Sequence, residues 1–155
     1  EVVDYVALMT YDEHWAASPI AGSVASLPWV EEGLKGVLEE VPPEKLLLGV
    51  PFYTRLWQEE MLPGGGSEVS SNAYSMGKIK EILEEEDVTV IWDEQAQQNY
   101  TEYMKDDVVY KVWLEDEESI KRRVDLVNKY NLAGIASWRR GFEELEIWNV
   151  IVEGL

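Results

Sequence analysis

Aromatic and charged residues crowd together at three places in the chain, and each crowd directly follows a short apolar run. The first is Met9-Thr10-Tyr11-Asp12-Glu13-His14-Trp15, the second Pro51-Phe52-Tyr53-Thr54-Arg55-Leu56-Trp57, the third Trp138-Arg139-Arg140-Gly141-Phe142-Glu143. Indole faces pack on the apolar faces of sugar rings while carboxylates and guanidinium groups take up hydroxyls, so this mixture suits carbohydrate. The same residue types also have plainer uses. Asp12 can end a strand and cap a turn, Trp138 can fill a core, and Arg55 can pair with an acid in so acidic a chain. His14, the single histidine, has no partner at metal-ligand spacing and reads as surface or groove lining. There is no cysteine, which excludes thiol catalysis, disulfides and thiolate metal sites. Neither a metal nor a cofactor is expected.

The elements that must position these residues are legible in outline. Val6 to Met9, Leu46 to Val50 and Ala133 to Trp138 are near-continuous apolar runs, the mark of parallel strands covered on both faces. In parallel α/β folds the C-terminal strand edge, where all three crowds fall, is where ligands bind. A helix precedes the second run: Val30, Leu34, Val37, Leu38 and Val41 share a face, with Ser26 as N-cap, Pro28 in the first turn and Pro42-Pro43 as the stop. Another precedes the third, with Ile120, Val124 and Val127 on one face, acids Asp116 to Glu118 at its start and Lys129 near its end.

Between Arg55 and Asn131 the pattern changes to that of a small α+β insertion. Pro63 to Ser67 reads as a loop, Met76, Ile79, Ile82 and Leu83 as a short helix, and Val88–Trp92, Tyr100–Tyr103 and Val108–Leu114 as strands, the last two joined at Lys105-Asp106-Asp107. Trp92, Tyr110 and Trp113 there are expected to pack on one another, and Glu84 to Asp87 to form a solvated helix end. The expected organisation is therefore 1–57 with 132–155 as one α/β unit and 58–131 as the insertion.

Composition bounds the function. The 155 residues include 31 acidic and 13 basic ones, a formal charge of −18, which excludes a generic nucleic-acid binder. Hydrophobic residues at 46% suffice for a core, and no apolar run approaches the roughly 18 residues of a membrane span. No targeting signal opens these residues.

The motifs together resemble glycoside hydrolase family 18, the barrels of chitinases and of bacterial spore or cell-wall glucosaminidases. Met9-Thr10-Tyr11-Asp12 is similar to its sixth-strand M-x-Y-D, and Gly49-Val50-Pro51-Phe52-Tyr53-Thr54-Arg55 to its seventh-strand segment. Val112 to Ile120 leads, as in that family, through a helix to Gly134-Ile135-Ala136-Ser137-Trp138 on the eighth strand. The resemblance implies an α/β fold: the C-terminal portion of a TIM (β/α)8 barrel, its last three βα units, with an α+β insertion. A whole barrel takes about 250 residues, and the family's fourth-strand D-x-x-D-x-D-x-E, whose last Glu is the general acid, is not among these residues.

The resemblance further implies substrate-assisted hydrolysis of β-linked N-acetylglucosamine polymers, peptidoglycan or chitin. Tyr11 and Asp12 would be the catalytic residues, Tyr11 bonding the acetamido group and Asp12 binding substrate hydroxyls or the acetamido region. Trp138 would floor the cleaved-sugar subsite, with Tyr53, Arg55, Glu13 and Trp57 as further substrate contacts. The missing half of the barrel, or a second copy of the chain, would be the protein partner, and the place of action secreted, cell-wall or spore-associated. A non-catalytic sugar-binding or structural half-barrel is the competing reading. Neither nucleic acid nor membrane insertion is expected.

Overall fold

A computed structural model describes residues 2–155. In chain order its elements are β1 (Val6–Leu8), α1 (Leu27–Leu38), β2 (Leu46–Pro51), β3 (Tyr53–Met61), β4 (Ser67–Ser75), α2 (Met76–Glu85), β5 (Ile91–Asp93), β6 (Gln98–Lys105), β7 (Val108–Trp113), α3 (Glu117–Tyr130), β8 (Gly134–Trp138) and α4 (Glu146–Gly154).

β1, β2 and β8 form a parallel sheet with β2 in the middle. Leu8 lies beside Leu48, and Pro51 beside Trp138, so the three C-terminal ends share one edge. Leu46, Leu48 and Val50 are fully buried. The expectation that all three strands are covered on both faces holds for β2 alone: Ala7 of β1 is exposed and β8 is only half-buried. Each of those two strands pairs on one side only. β1 and β2 also approach closely, because a Cβ on Gly49 would stand 2.3 Å from the carbonyl oxygen of Leu8.

The helices follow the predicted faces. α1 buries Val30 and Leu34 and carries its proline in the first turn. α3 buries Ile120, Val124 and Val127 and opens with a capping box: Ser119 N donates to Asp116 Oδ1 (3.0 Å) and Asp116 N to Ser119 Oγ (3.0 Å). Asn131, at a left-handed φ of 52°, ends it. α4 was not foreseen; it packs on α3, where Asn128 Nδ2 donates to Gly154 O (2.7 Å). Leu34, Val50, Val124 and Ile147 belong to one core.

The insertion is a five-stranded antiparallel sheet in the order β4-β3-β7-β6-β5, covered by α2 through Leu56, Ile79, Leu83 and Val112. The β6–β7 hairpin turns where predicted, with Asp106 and Asp107 at φ 50° and 63° and Lys105 opposite Val108. Two elements bear on the expected bounds of the insertion. The boundary at residue 57 falls inside β3, which runs unbroken from Tyr53 to Met61 and pairs along its length with β4. The loop at Pro63 to Ser67 is thus the tip of a β3–β4 hairpin. α3, assigned by sequence to the insertion, packs chiefly on α4 and also touches α1, β2 and β8 on one side and β6 of the insertion on the other.

A buried polar joint fastens the insertion to the parallel layer. Arg123 Nη2 bonds Glu115 Oε1 (2.8 Å) and Ala25 O (2.6 Å), Gln98 Nε2 donates to Glu115 Oε1 (2.8 Å), Ser119 Oγ donates to Glu115 Oε2 (2.8 Å), and Ser23 Oγ donates to Gln98. Burial pushes the Glu115 carboxyl up to about 7, against the opposing pull of Arg123.

Candidate active site

The site is built where β1 runs out. Thr10 is buried and its Oγ1 donates to Gly49 O (2.7 Å), pinning the end of β1 to β2. Tyr11 is half-buried, its ring edge-on to Tyr53 at 6.4 Å and 76°. Asp12 has a left-handed φ of 63°, which aspartate tolerates better than most residues, and its carboxylate accepts the hydroxyl proton of Tyr53. Burial, then the bond to Asp12, holds the Tyr53 hydroxyl far above the ordinary tyrosine range, so it remains a donor. Burial first and the Asp12 charge second raise Tyr11 as well.

Trp138 arrives at the same edge from β8. Phe52 N donates to its carbonyl (2.7 Å), and the residue is 55% exposed. Arg55, the third residue of β3, reaches Ser71 Oγ through Nη1 (3.1 Å), while its buried Nε has no partner among the described residues. Tyr11, Asp12, Tyr53, Arg55 and Trp138 thus all stand at or just beyond the C-terminal edge of the parallel sheet.

Two predicted contact residues serve the fold instead. Trp57 is fully buried and its Nε1 donates to Gly22 O (2.8 Å), so its indole braces the loop after β1 from beneath rather than facing a sugar. Glu13 is committed through both oxygens: Ser26 N donates to Oε2 (2.7 Å) and Ser26 Oγ to Oε1 (3.0 Å). Ser26 is the N-cap residue, as predicted, but its hydroxyl does not cap its own helix. The Glu13 carboxylate stands there instead, where the helix dipole favours a negative charge. His14 bonds Ser23 O through Nδ1 (2.8 Å), and its ring occupies the space a Cβ on Gly22 would need.

A hollow of about 240 Å³ beside the edge is lined by Glu13, His14, Ser26, Asp93 and Trp113. A larger cavity of about 730 Å³ lies elsewhere, between α2 and the start of α3, and Ile79, Leu83, Leu114 and Asp116 line it. Among the described residues no group of three or more His, Cys, Asp or Glu is placed to hold a metal ion. Among the described residues no helix is long and apolar enough to cross a membrane.

The profile of the family described as "Glycosyl hydrolases family 18" matches residues 1–143. The chain belongs to that family. Within glycosyl hydrolase family 18 it is 27% identical over 154 residues to the "Cortical fragment-lytic enzyme" of Bacillus anthracis, covering 99% of this chain and 35% of that protein. It therefore spans about a third of that relative's length. The crystal structure of the Bacillus cereus spore cortex-lytic enzyme superposes with a TM-score of 0.86 at 26% identity, over 99% of this chain and 36% of the other. A chitinase of Chromobacterium violaceum superposes with a TM-score of 0.84 at 26% identity, over 97% and 45%. This chain matches the C-terminal part of the family 18 domain.

Sequence reasoning missed the buried polar joint that fastens the insertion. Ser23, Gln98, Glu115 and Arg123 lie far apart in sequence and carry no shared motif; the one local signal was the capping pattern at Asp116 and Ser119. Gly49 opens the seventh-strand segment of the resemblance, but its need for a bare α-carbon shows only once β1 lies against β2.

Proposed function

We propose that this chain supplies the last three βα units, with the α+β insertion, of a (β/α)8-barrel glycoside hydrolase acting on β-linked N-acetylglucosamine polymers. The observation that carries this reading is the meeting of Asp12 and Tyr53 at the sheet edge that also receives Trp138. In substrate-assisted hydrolysis the acetamido oxygen of the bound sugar attacks its own anomeric carbon as the leaving group departs. Tyr11 would hydrogen-bond the acetamido group, and Asp12 would bind substrate hydroxyls or the acetamido region, holding the sugar for attack. Tyr53 holds the Asp12 carboxylate in place by its hydrogen bond. Trp138 offers an exposed indole as the floor of the sugar subsite. None of these groups protonates the leaving oxygen, and no D-x-x-D-x-D-x-E run occurs in these residues.

The one-sided pairing of β1 and β8 makes the rest of a barrel, or a second copy, the partner that fits. A relative named for cortical fragments supports action at spore cortex or cell wall. The test is titration of the chain with an N-acetylglucosamine tetramer, followed through its tryptophan indole NMR signals. Saturable shifts are expected, weakened by Trp138→Ala and by Asp12→Asn. Binding unchanged in both folded variants overturns the site. The chain by itself is expected to release no chromophore from an aryl N-acetylglucosaminide, since general acid catalysis is worth about 10² to 10⁴ in rate.

A further inference from the structure

The chain has 31 acidic residues and 13 lysines and arginines. Most of those cations meet a carboxylate, as Lys35 and Lys129 meet Glu31, Lys80 meets Glu144, Lys111 meets Glu59 and Arg123 meets Glu115. Among the described residues Arg55, Lys121, Arg139 and Arg140 form no such pair. Three of these four stand at the edge that holds Tyr11, Asp12 and Trp138. With acids outnumbering bases more than twofold, a free guanidinium is the exception, and such exceptions gathering at one edge call for a reason.

Arg139 and Arg140 directly follow Trp138 and both are exposed. Arg139 is steadied by Phe142, its guanidinium carbon 4.2 Å from the ring centroid. The nearest acids in sequence are spoken for: Glu143 accepts from Gly141 N (2.6 Å) and Trp148 Nε1 (3.2 Å), and Glu144 pairs with Lys80. The acids close to the edge are likewise engaged, Asp12 by Tyr53 and Glu13 by Ser26. Two planar, permanently charged donors, neither paired with a carboxylate, thus directly follow an exposed tryptophan at the strand end, and such donors take a carboxylate in bidentate fashion.

We propose that the glycan received at this edge is anionic, an N-acetylglucosamine polymer bearing carboxylates as peptidoglycan does, with Arg139 and Arg140 binding those carboxylates. The proposal rests on the sugar-binding reading of the edge. The charge of −18 repels an anionic glycan at long range. At physiological ionic strength that field is screened over about 8 Å, so adjacent guanidinium groups decide the outcome.

The experiment compares three probes by NMR titration at about 0.15 M salt. They are a neutral N-acetylglucosamine tetramer, a tetramer alternating N-acetylglucosamine with N-acetylmuramic acid, and the latter carrying stem peptides. An anionic probe is expected to bind about tenfold more tightly than the neutral one, with the ratio collapsing near 1 M salt, where screening reaches about 3 Å. In the Arg139→Gln/Arg140→Gln double variant the ratio is expected to fall to about one, whereas Lys121→Gln, a free cation on α3, leaves it standing. Preference for the tetramer without peptides assigns the lactyl carboxylate; preference for the peptide-bearing probe alone assigns the stem peptide. Equal binding of neutral and anionic probes, or a ratio that survives the double variant, overturns the proposal and leaves the sugar-binding edge intact. Failure of folded wild-type chain to bind any of the three overturns both.

Discussion

The hydroxyl of Tyr53 donates to the carboxylate of Asp12 across 41 residues of chain. Asp12 lies in the loop that follows β1 and Tyr53 opens β3, so this bond ties the loop at the parallel sheet's edge to the insertion that rises from it. Replacing Tyr53 by Phe removes the bond and keeps the ring that packs edge-on against Tyr11. Stability is expected to fall by about 1 kcal/mol in urea denaturation. Affinity for an N-acetylglucosamine tetramer should fall severalfold in the same variant, because Asp12 is released from its fixed orientation.

Glycine is required at one position and dispensable at another. A Cβ at Gly49 would meet the backbone carbonyl of Leu8 at 2.3 Å, and backbone cannot swing aside as a side chain can. Gly49→Ala should cost about 3 kcal/mol or abolish soluble expression. Gly36, inside α1, has nothing within 4 Å of such a carbon. Gly36→Ala should stabilise the chain by up to about 1 kcal/mol, read as a raised Tm.

Glu115 sets a pH dependence of the opposite sign from that of most carboxylates. Its folded value is raised to about 7 from an ordinary 4.5, so between those two the native state holds a proton the unfolded chain has released. Stability contributed by this group is therefore greatest below about pH 4.5 and is lost as pH rises towards 7. Glu31, Asp93 and Glu143 are shifted downward, and their contributions fade only as the solution becomes more acidic than their ordinary values. Urea titrations between about pH 5 and 8 should show wild-type stability falling with pH and Glu115→Gln flattening that slope. An unchanged slope in the variant would place the pH dependence elsewhere.

Open sheet edges should govern assembly. Among the described residues β1 and β8 each lack a second neighbour, and Met9, Leu145 and Val152 are exposed. Light scattering on the chain alone is expected to give a dimer or larger species, and a hydrophobic dye should bind. Clean monomer at high concentration without dye binding would count against the idea.

The parts of the fold that sequence disclosed are those governed by local pattern. The apolar runs at Leu46 to Val50 and Gly134 to Trp138, the faces of α1 and α3, and the Asp106-Asp107 turn all appear where spacing placed them. β4 escaped because Ser67–Ser75 is polar and largely exposed, with no alternation to betray a strand. Without β4 as its partner, β3 does not read from sequence as the continuous strand it is.

For the site, sequence by itself determined which residue types gather at the strand ends and in what order, enough for Tyr11, Asp12, Tyr53, Arg55 and Trp138 to reach one edge. It could not decide which of them face solvent. Trp57 and Trp138 are the same residue, each placed after an apolar run, yet one is fully buried beneath the carbonyl of Gly22 and the other is more than half exposed. Glu13 and Asp12 are neighbouring acids, yet one is consumed by the start of α1 and the other remains at the edge. The physical reason is the same in both cases. Strand direction follows from short-range pattern, whereas the exposure of a side chain depends on which distant backbone group comes to meet it, and only the packed tertiary structure brings that group there.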